Sequence, residues 1–184
     1  MVGSDNMTLG ANQIIDHYGI RIAYIRSSTY FRCPYKVPWS GYHKTTDGMV
    51  CPLCLGTGKI VSSETRIVRK SSTQVEVPAN SGIPKRIDLT WYFKNNVNIK
   101  SGDYIVECRW HGTFPSIKPT GIVDIFRIDD IDTYTKEFGR GLVYSRAFTT
   151  KIVKFNEGPW PASDSDDERS IILHQLTHGI KIIE

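Results

Sequence analysis

The chain predicts a mainly β protein: a small β-barrel or sandwich with a short N-terminal helix, an inserted cysteine-bearing loop and a C-terminal extension. Three observations predict it. Two-residue alternation recurs and is cleanest over 87–94, where Ile87, Leu89, Trp91 and Phe93 alternate with Asp88, Thr90, Tyr92 and Lys94. That period sends successive side chains to opposite faces of a strand. Many short runs of this type are separated by Gly, Pro and Asn turns, as in all-β sandwiches and barrels. With 40% hydrophobic and 23% charged residues, the 184-residue chain has enough apolar material for one core.

In chain order, residues 8–18 read as a short helix ended by Gly19, a residue suited to the position just past a helix. The period then changes. Ile20, Ile22 and Tyr24 fall on one face and Arg21 on the other, which predicts a strand with one wet side. Beyond the cysteine loop, 59–69 and 72–77 are β-branched runs, and the turn-rich stretch 78–84 precedes the alternation at 87–94. The Ser101-Gly102-Asp103 turn opens 104–111, where Tyr104, Val106, Cys108 and Trp110 share a face. Cys108 on that apolar stripe is expected to be a buried structural thiol. Gly121 to Ile128 reads as a central strand, and 139–148 with 151–155 continue the pattern.

Four segments follow: 1–32, the helix and first strand; 33–58, the cysteine loop; 59–157, the barrel core; and 158–184, a linker and C-terminal extension. Gly158 to Glu168 has linker composition, and 169–184 carries enough Ile and Leu to dock on the barrel or on a neighbouring subunit. His174 and His178 would share a helix face, but two histidines without a third ligand are a weak metal signal. The net charge is +4, yet 159–184 holds five acidic residues against two basic ones, so the rest of the chain is distinctly basic. Dispersed cations of this kind suit a solvated surface, or contact with nucleic acid or an acidic protein surface.

Three of the four cysteines and one of the five histidines lie in 33–54. Cys51 and Cys54 form a C-x-x-C knuckle followed by Gly56 and Gly58, with Cys33 and His43 upstream. A tight C-x-x-C turn lets two thiolates reach one tetrahedral zinc, and glycines after it let backbone N–H groups approach the sulfurs. Cys33 is the expected third ligand; the fourth is His43, or Asp47 in its place. The competing readings are a plain turn that has lost a ligand and a redox dithiol, the latter disfavoured because no βαβ pattern surrounds the knuckle. The N-terminus shows neither a basic start nor an apolar run, so no secretory signal is expected. Folding in a reducing cytoplasm, where disulfides are rare, also favours structural zinc, stapling a loop too polar to pack by itself.

Cys-Pro-Leu-Cys-Leu-Gly-Thr-Gly matches the C-x-x-C-x-G-x-G repeat in the zinc domain of DnaJ-type co-chaperones. That family has four copies and a His-Pro-Asp triplet; this chain has one copy and no triplet, so the likeness is local. A longer resemblance covers residues 8–155. A helix ending in His17-Tyr18-Gly19, a strand, the cysteine loop, the aromatic Trp91-Tyr92-Phe93, the segment Val97 to Ile105 with its Gly102-Asp103 turn, and Gly139-Arg140-Gly141 follow in that order. The order resembles the head-closure, neck or head-to-tail connector proteins of tailed bacteriophages. Members with the loop often carry two cysteine pairs, whereas here the first pair is reduced to Cys33, which leaves the fourth ligand open.

The resemblance implies a non-enzymatic structural protein of the virion, assembled in the host cytoplasm. It implies a homo-oligomeric ring, usually hexameric, at the head–tail junction, joining portal or adaptor protein to tail-terminator or tail proteins. Non-specific contact with packaged DNA and no membrane partner are part of that expectation. The chain also lacks Gly-x-Ser-x-Gly, phosphate-loop and dinucleotide fingerprints. Asp129, Asp130 and Asp132 are expected in a solvated turn or helix start rather than a metal cluster. The alternative function is a zinc-stabilised nucleic-acid-binding module in the cytoplasm, using Arg32, Lys36, Lys44 and Lys59 with Tyr35, Trp39 and Tyr42.

Overall fold

The computed structural model describes residues 5–33, 59–71, 76–78, 84–86, 89–135, 142–152 and 165–183. Helix α1 spans Asp5–Tyr18 and stops at Gly19. A Cβ at Gly19 would lie 2.2 Å from the Ile15 carbonyl oxygen and 2.7 Å from a methyl of Ile67, so only glycine lets the chain turn here against Ile67.

Eight strands follow: β1 (Ile20–Arg32), β2 (Lys59–Ser71), β3 (Glu76–Pro78), β4 (Pro84–Arg86), β5 (Leu89–Lys94), β6 (Tyr104–His111), β7 (Lys118–Thr135) and β8 (Leu142–Lys151). Six of them pair antiparallel in the order β1-β2-β5-β8-β7-β6, and β6 pairs back to β1, so the sheet closes into a barrel. Closure leaves no strand of this sheet without two neighbours. β3 and β4 form a separate two-stranded ribbon bracketing the predicted turn.

The barrel interior is filled by Ile22, Tyr24, Val68, Trp91, Phe93, Ile105, Phe126 and Ile128 among others. Trp91 meets Phe126 edge-on at 5.3 Å and Tyr24 meets Phe93 at 5.8 Å. The buried indole N–H of Trp91 donates to Thr149 Oγ1 at 3.0 Å, which keeps a polar atom satisfied inside an apolar core. Lys70 caps this core, its Nζ 5.5 Å from the Trp91 ring centre and 2.8 Å from Glu107.

A second core lies outside the wall. Helix α2 (Ser165–Gly179) sets Ile172 and Leu176 on Ala23, Ile25, Val61, Val106, Cys108 and Ile125. The segment after α2 then runs parallel to β2. Thr65 N–H donates to the Lys181 carbonyl and Lys181 N–H to the Ser63 carbonyl, both at 2.9 Å. The Thr65 hydroxyl accepts from Ile183 N–H at 2.7 Å and donates to the Ile183 carbonyl at 2.8 Å. β2 pairs with β5 only from Arg69 to Ser71, so the tail occupies a stretch of the β2 edge that β5 leaves open.

Four expectations change. β1 has no wet side from Ile22 to Ile25, because α2 covers the face opposite the barrel interior. Asp129, Asp130 and Asp132 lie within strand β7 rather than in a turn or helix start; Thr150 donates to Asp129 at 2.5 Å and Arg146 pairs with Asp132. Both of these partners are on β8, while Asp130 faces solvent as expected. The acidic run predicted as linker starts α2, where Asp166, Asp167 and Glu168 sit at the positive end of the helix dipole. The strand expected over 151–155 ends at Lys151, and 153–155 lie outside the described residues. Among the described residues no helix is long and apolar enough to cross a membrane.

Candidate functional site

Cys33 directly follows β1 and is half-buried. His43, Asp47, Cys51 and Cys54 lie outside the described residues, as do Lys36, Lys44, Tyr35, Trp39 and Tyr42. Among the described residues no three His, Cys, Asp or Glu side chains converge on a metal-sized site. The stem of the excursion is defined. Arg32 pairs with Lys59 across the β1–β2 ladder, so the excursion leaves and returns one strand spacing apart, about 5 Å. Cys33 is thereby placed at the mouth of the β1–β2 pair. Three thiols with an imidazole or carboxylate form a donor set suited to tetrahedral zinc.

Cys108 stands apart from that stem, on β6 under α2, and is buried as expected. Burial, followed by the charge of Glu107, pushes its thiol up to about 12, so it stays protonated and inert at neutral pH. His174 and His178 share a face of α2, their rings 4.2 Å apart, and His178 Nδ1 lies 2.9 Å from the His174 carbonyl. Burial and then the neighbouring His178 hold His174 below the usual imidazole range.

The Gly102-Asp103 turn is a latch. Asp103 is 1% exposed and accepts from the Tyr24 hydroxyl, from Ser27 N–H at 2.9 Å and from the Ser27 hydroxyl at 3.2 Å. Its carbonyl takes Ile128 N–H and Gly102 N–H reaches the Ile128 carbonyl, each at 2.8 Å. Gly102 has φ +88°, a left-handed conformation that favours glycine. The turn therefore ties β1, β6 and β7 together at the point where the β1 register shifts, between Ile25 and Tyr30.

One surface feature was not anticipated. On the outer wall of β5, β8 and β7, Tyr92 meets Tyr144 edge-on at 5.7 Å and Tyr144 stacks on Tyr134 at 5.2 Å with 11° between ring planes. Arg69 lies opposite Tyr92 in the ladder, and Arg146 lies on the other side of Tyr92. A groove of about 380 Å³ between α1 and this wall is lined by Ile14, Ile15, Arg69, Tyr92 and Tyr144, among others. The sequence signal was faint: Tyr92 falls in the polar half of the alternation at 87–94, where its ring has no interior partner.

The chain matches no protein-family model, and no curated protein matches it in sequence.

Proposed function

We propose that this protein is a structural component of a tailed bacteriophage particle, one protomer of a ring at the head–tail junction that joins portal to tail and helps retain or pass DNA. The observation carrying this reading is that four landmarks of the connector-like sequence order are parts of one barrel, while the cysteine loop beyond Cys33 and Gly139-Arg140-Gly141 lie outside the described residues. His17-Tyr18-Gly19 ends α1 at the start of β1, Trp91 and Phe93 fill the interior, and Val97, Ile99 and Asp103 are buried around the turn that latches β6. A closed barrel suits a ring protomer because each of its strands has two neighbours, which leaves loops and appended segments to make most contacts with adjacent protomers. The 33–58 excursion, stapled by one zinc through Cys33, Cys51, Cys54 and His43, would be such a contact element, mounted on a rigid stem.

The test is mass photometry of the purified chain, alone and mixed with portal complex from the same particle. The reading expects a ring-sized increment on the portal complex and no enzymatic requirement for it. A chain that never associates with portal complex, at any ratio, contradicts the reading.

A further inference from the structure

We propose that the tyrosine wall binds single-stranded nucleic acid, its bases stacking on Tyr134 and on the Tyr92–Tyr144 floor and a phosphate meeting Arg69. The site is independent of the cysteine loop and of the ring reading, since all its residues lie on the barrel wall and α1.

The chemistry comes from the register. Arg69, Tyr92, Arg146 and Asp132 form one cross-strand row on β2, β5, β8 and β7, and Lys94, Tyr144 and Tyr134 form part of the next. Tyr134 is 49% exposed at the outer end of the ladder, and among the described residues its ring stacks on Tyr144. Aromatic faces open to solvent on a rigid sheet are stacking platforms for bases of any sequence. The charges are sorted. Arg146 is committed to Asp132, Lys94 to Asp16 and Lys70 to Glu107, whereas the exposed Arg69 guanidinium has no hydrogen-bond or ion-pair partner among the described residues. A cation with no carboxylate partner among the described residues, beside a row of rings, suits an anion attached to something planar.

The groove completes the fit. Its volume of about 380 Å³ is within the range of small-ligand sites, and Ile14, 45% exposed, gives its α1 side an apolar rim. A peptide strand is the poorer occupant. At the groove floor Tyr92 and Tyr144 lie on strands paired on both sides, so the groove offers no edge for strand addition, which is how extended peptides gain most of their hydrogen bonds; β7 beyond Ile128 is paired with β8 alone. The ladder also continues past the groove to Tyr134, which favours a strand of several nucleotides over a single one.

The experiment is fluorescence anisotropy of a labelled deoxythymidine dodecamer with the full chain, at about 50 and about 200 mM salt. An abasic dodecamer of equal charge and thymidine monophosphate serve as comparison ligands. The proposal expects the thymidine strand to bind more tightly than the abasic one. Tyr134→Ala should weaken binding about fivefold or more by removing one stacking face. Arg69→Gln should flatten the salt dependence by about 0.7 in the log–log slope, the value for one single-strand phosphate contact. Both side chains are exposed, and unchanged melting curves verify that the variants are folded. Equal affinity for abasic and thymidine strands, indifference to both substitutions, or monophosphate binding as tight as the dodecamer would each overturn the proposal.

Discussion

The Tyr24 hydroxyl donates a hydrogen bond to the buried carboxylate of Asp103, joining the middle of β1 to the turn that starts β6. Burial first, then this hydrogen bond and the charge of Asp103, push the Tyr24 hydroxyl well above its ordinary value. The folded state therefore keeps a proton that the unfolded chain releases above about pH 10. Stability contributed by this proton is complete below that pH and is lost as pH rises beyond it.

Two variants separate the parts of this latch. Tyr24→Phe should cost about 1–2 kcal/mol at neutral pH and remove this contribution to alkaline instability. Asp103→Ala should cost more, about 2–4 kcal/mol, because it strands the Tyr24 hydroxyl and the Ser27 N–H together. Urea unfolding at pH 7 and pH 10.5 checks both, and a Tyr24→Phe variant with an unchanged alkaline limb would contradict the assignment.

Helix α2 acts as a cover for the outer core. Leu176→Ala should cost about 2–5 kcal/mol, since Leu176 is 1% exposed among residues of β1, β6 and β7. It should also open Cys108, so that a thiol inert in the parent reacts with a disulfide reagent at neutral pH. Peptide mapping after brief labelling reads this directly. Labelling of Cys108 at the same rate in parent and variant would show that α2 is not what protects it.

An acid-sensitive contribution sits beside the tail. Glu64 accepts from Arg66 at 2.8 Å and from Arg26 at 2.9 Å. Burial alone would raise its carboxyl, but the hydrogen bonds and charges of Arg66 and then Arg26 outweigh it and hold Glu64 below the ordinary value. Its contribution is present above the unfolded value of about 4.3 and is lost as pH falls through the lower folded value. Glu64→Gln should therefore destabilise by about 1–2 kcal/mol at pH 7, with the gap to the parent closing toward pH 3. Denaturant titrations at the two pH values decide it; a constant gap would place the cost elsewhere.

The cysteine loop makes a chemical prediction. Protein purified without added metal should carry about one zinc per chain by atomic emission, and Cys54→Ser should lose it. Because the excursion departs from paired β1 and β2 positions, a chelator should lower the melting midpoint while leaving the β spectrum at room temperature intact. Metal-free protein in which Cys33, Cys51 and Cys54 all react at the rate of unfolded thiols would remove the staple.

Local rules made much of the barrel legible in advance. Gly19 ends α1, the alternation through Trp91 and Phe93 gives a strand with one interior face, and the stripe through Val106 and Cys108 marks a buried thiol. What escaped is set by partners distant in sequence. Arg21 suggested a solvated face on β1, but α2 arrives some 150 residues later to cover Ala23 and Ile25. Asp132 gains its Arg146 partner, and Tyr92, Tyr144 and Tyr134 become a ladder, only once β5, β8 and β7 are in register. The candidate metal residues other than Cys33 fall outside the described residues, so their reading rests on sequence spacing and on the stem formed by Arg32 and Lys59.

The proposed connector role is tested most directly by electron cryo-microscopy of tailed particles from the source of this chain. The expected result is density for this six-stranded barrel repeated as a ring, with α1 and α2 on its walls, between the portal vertex and the tail. Complete, tailed particles with no copy of the chain at that junction would contradict it.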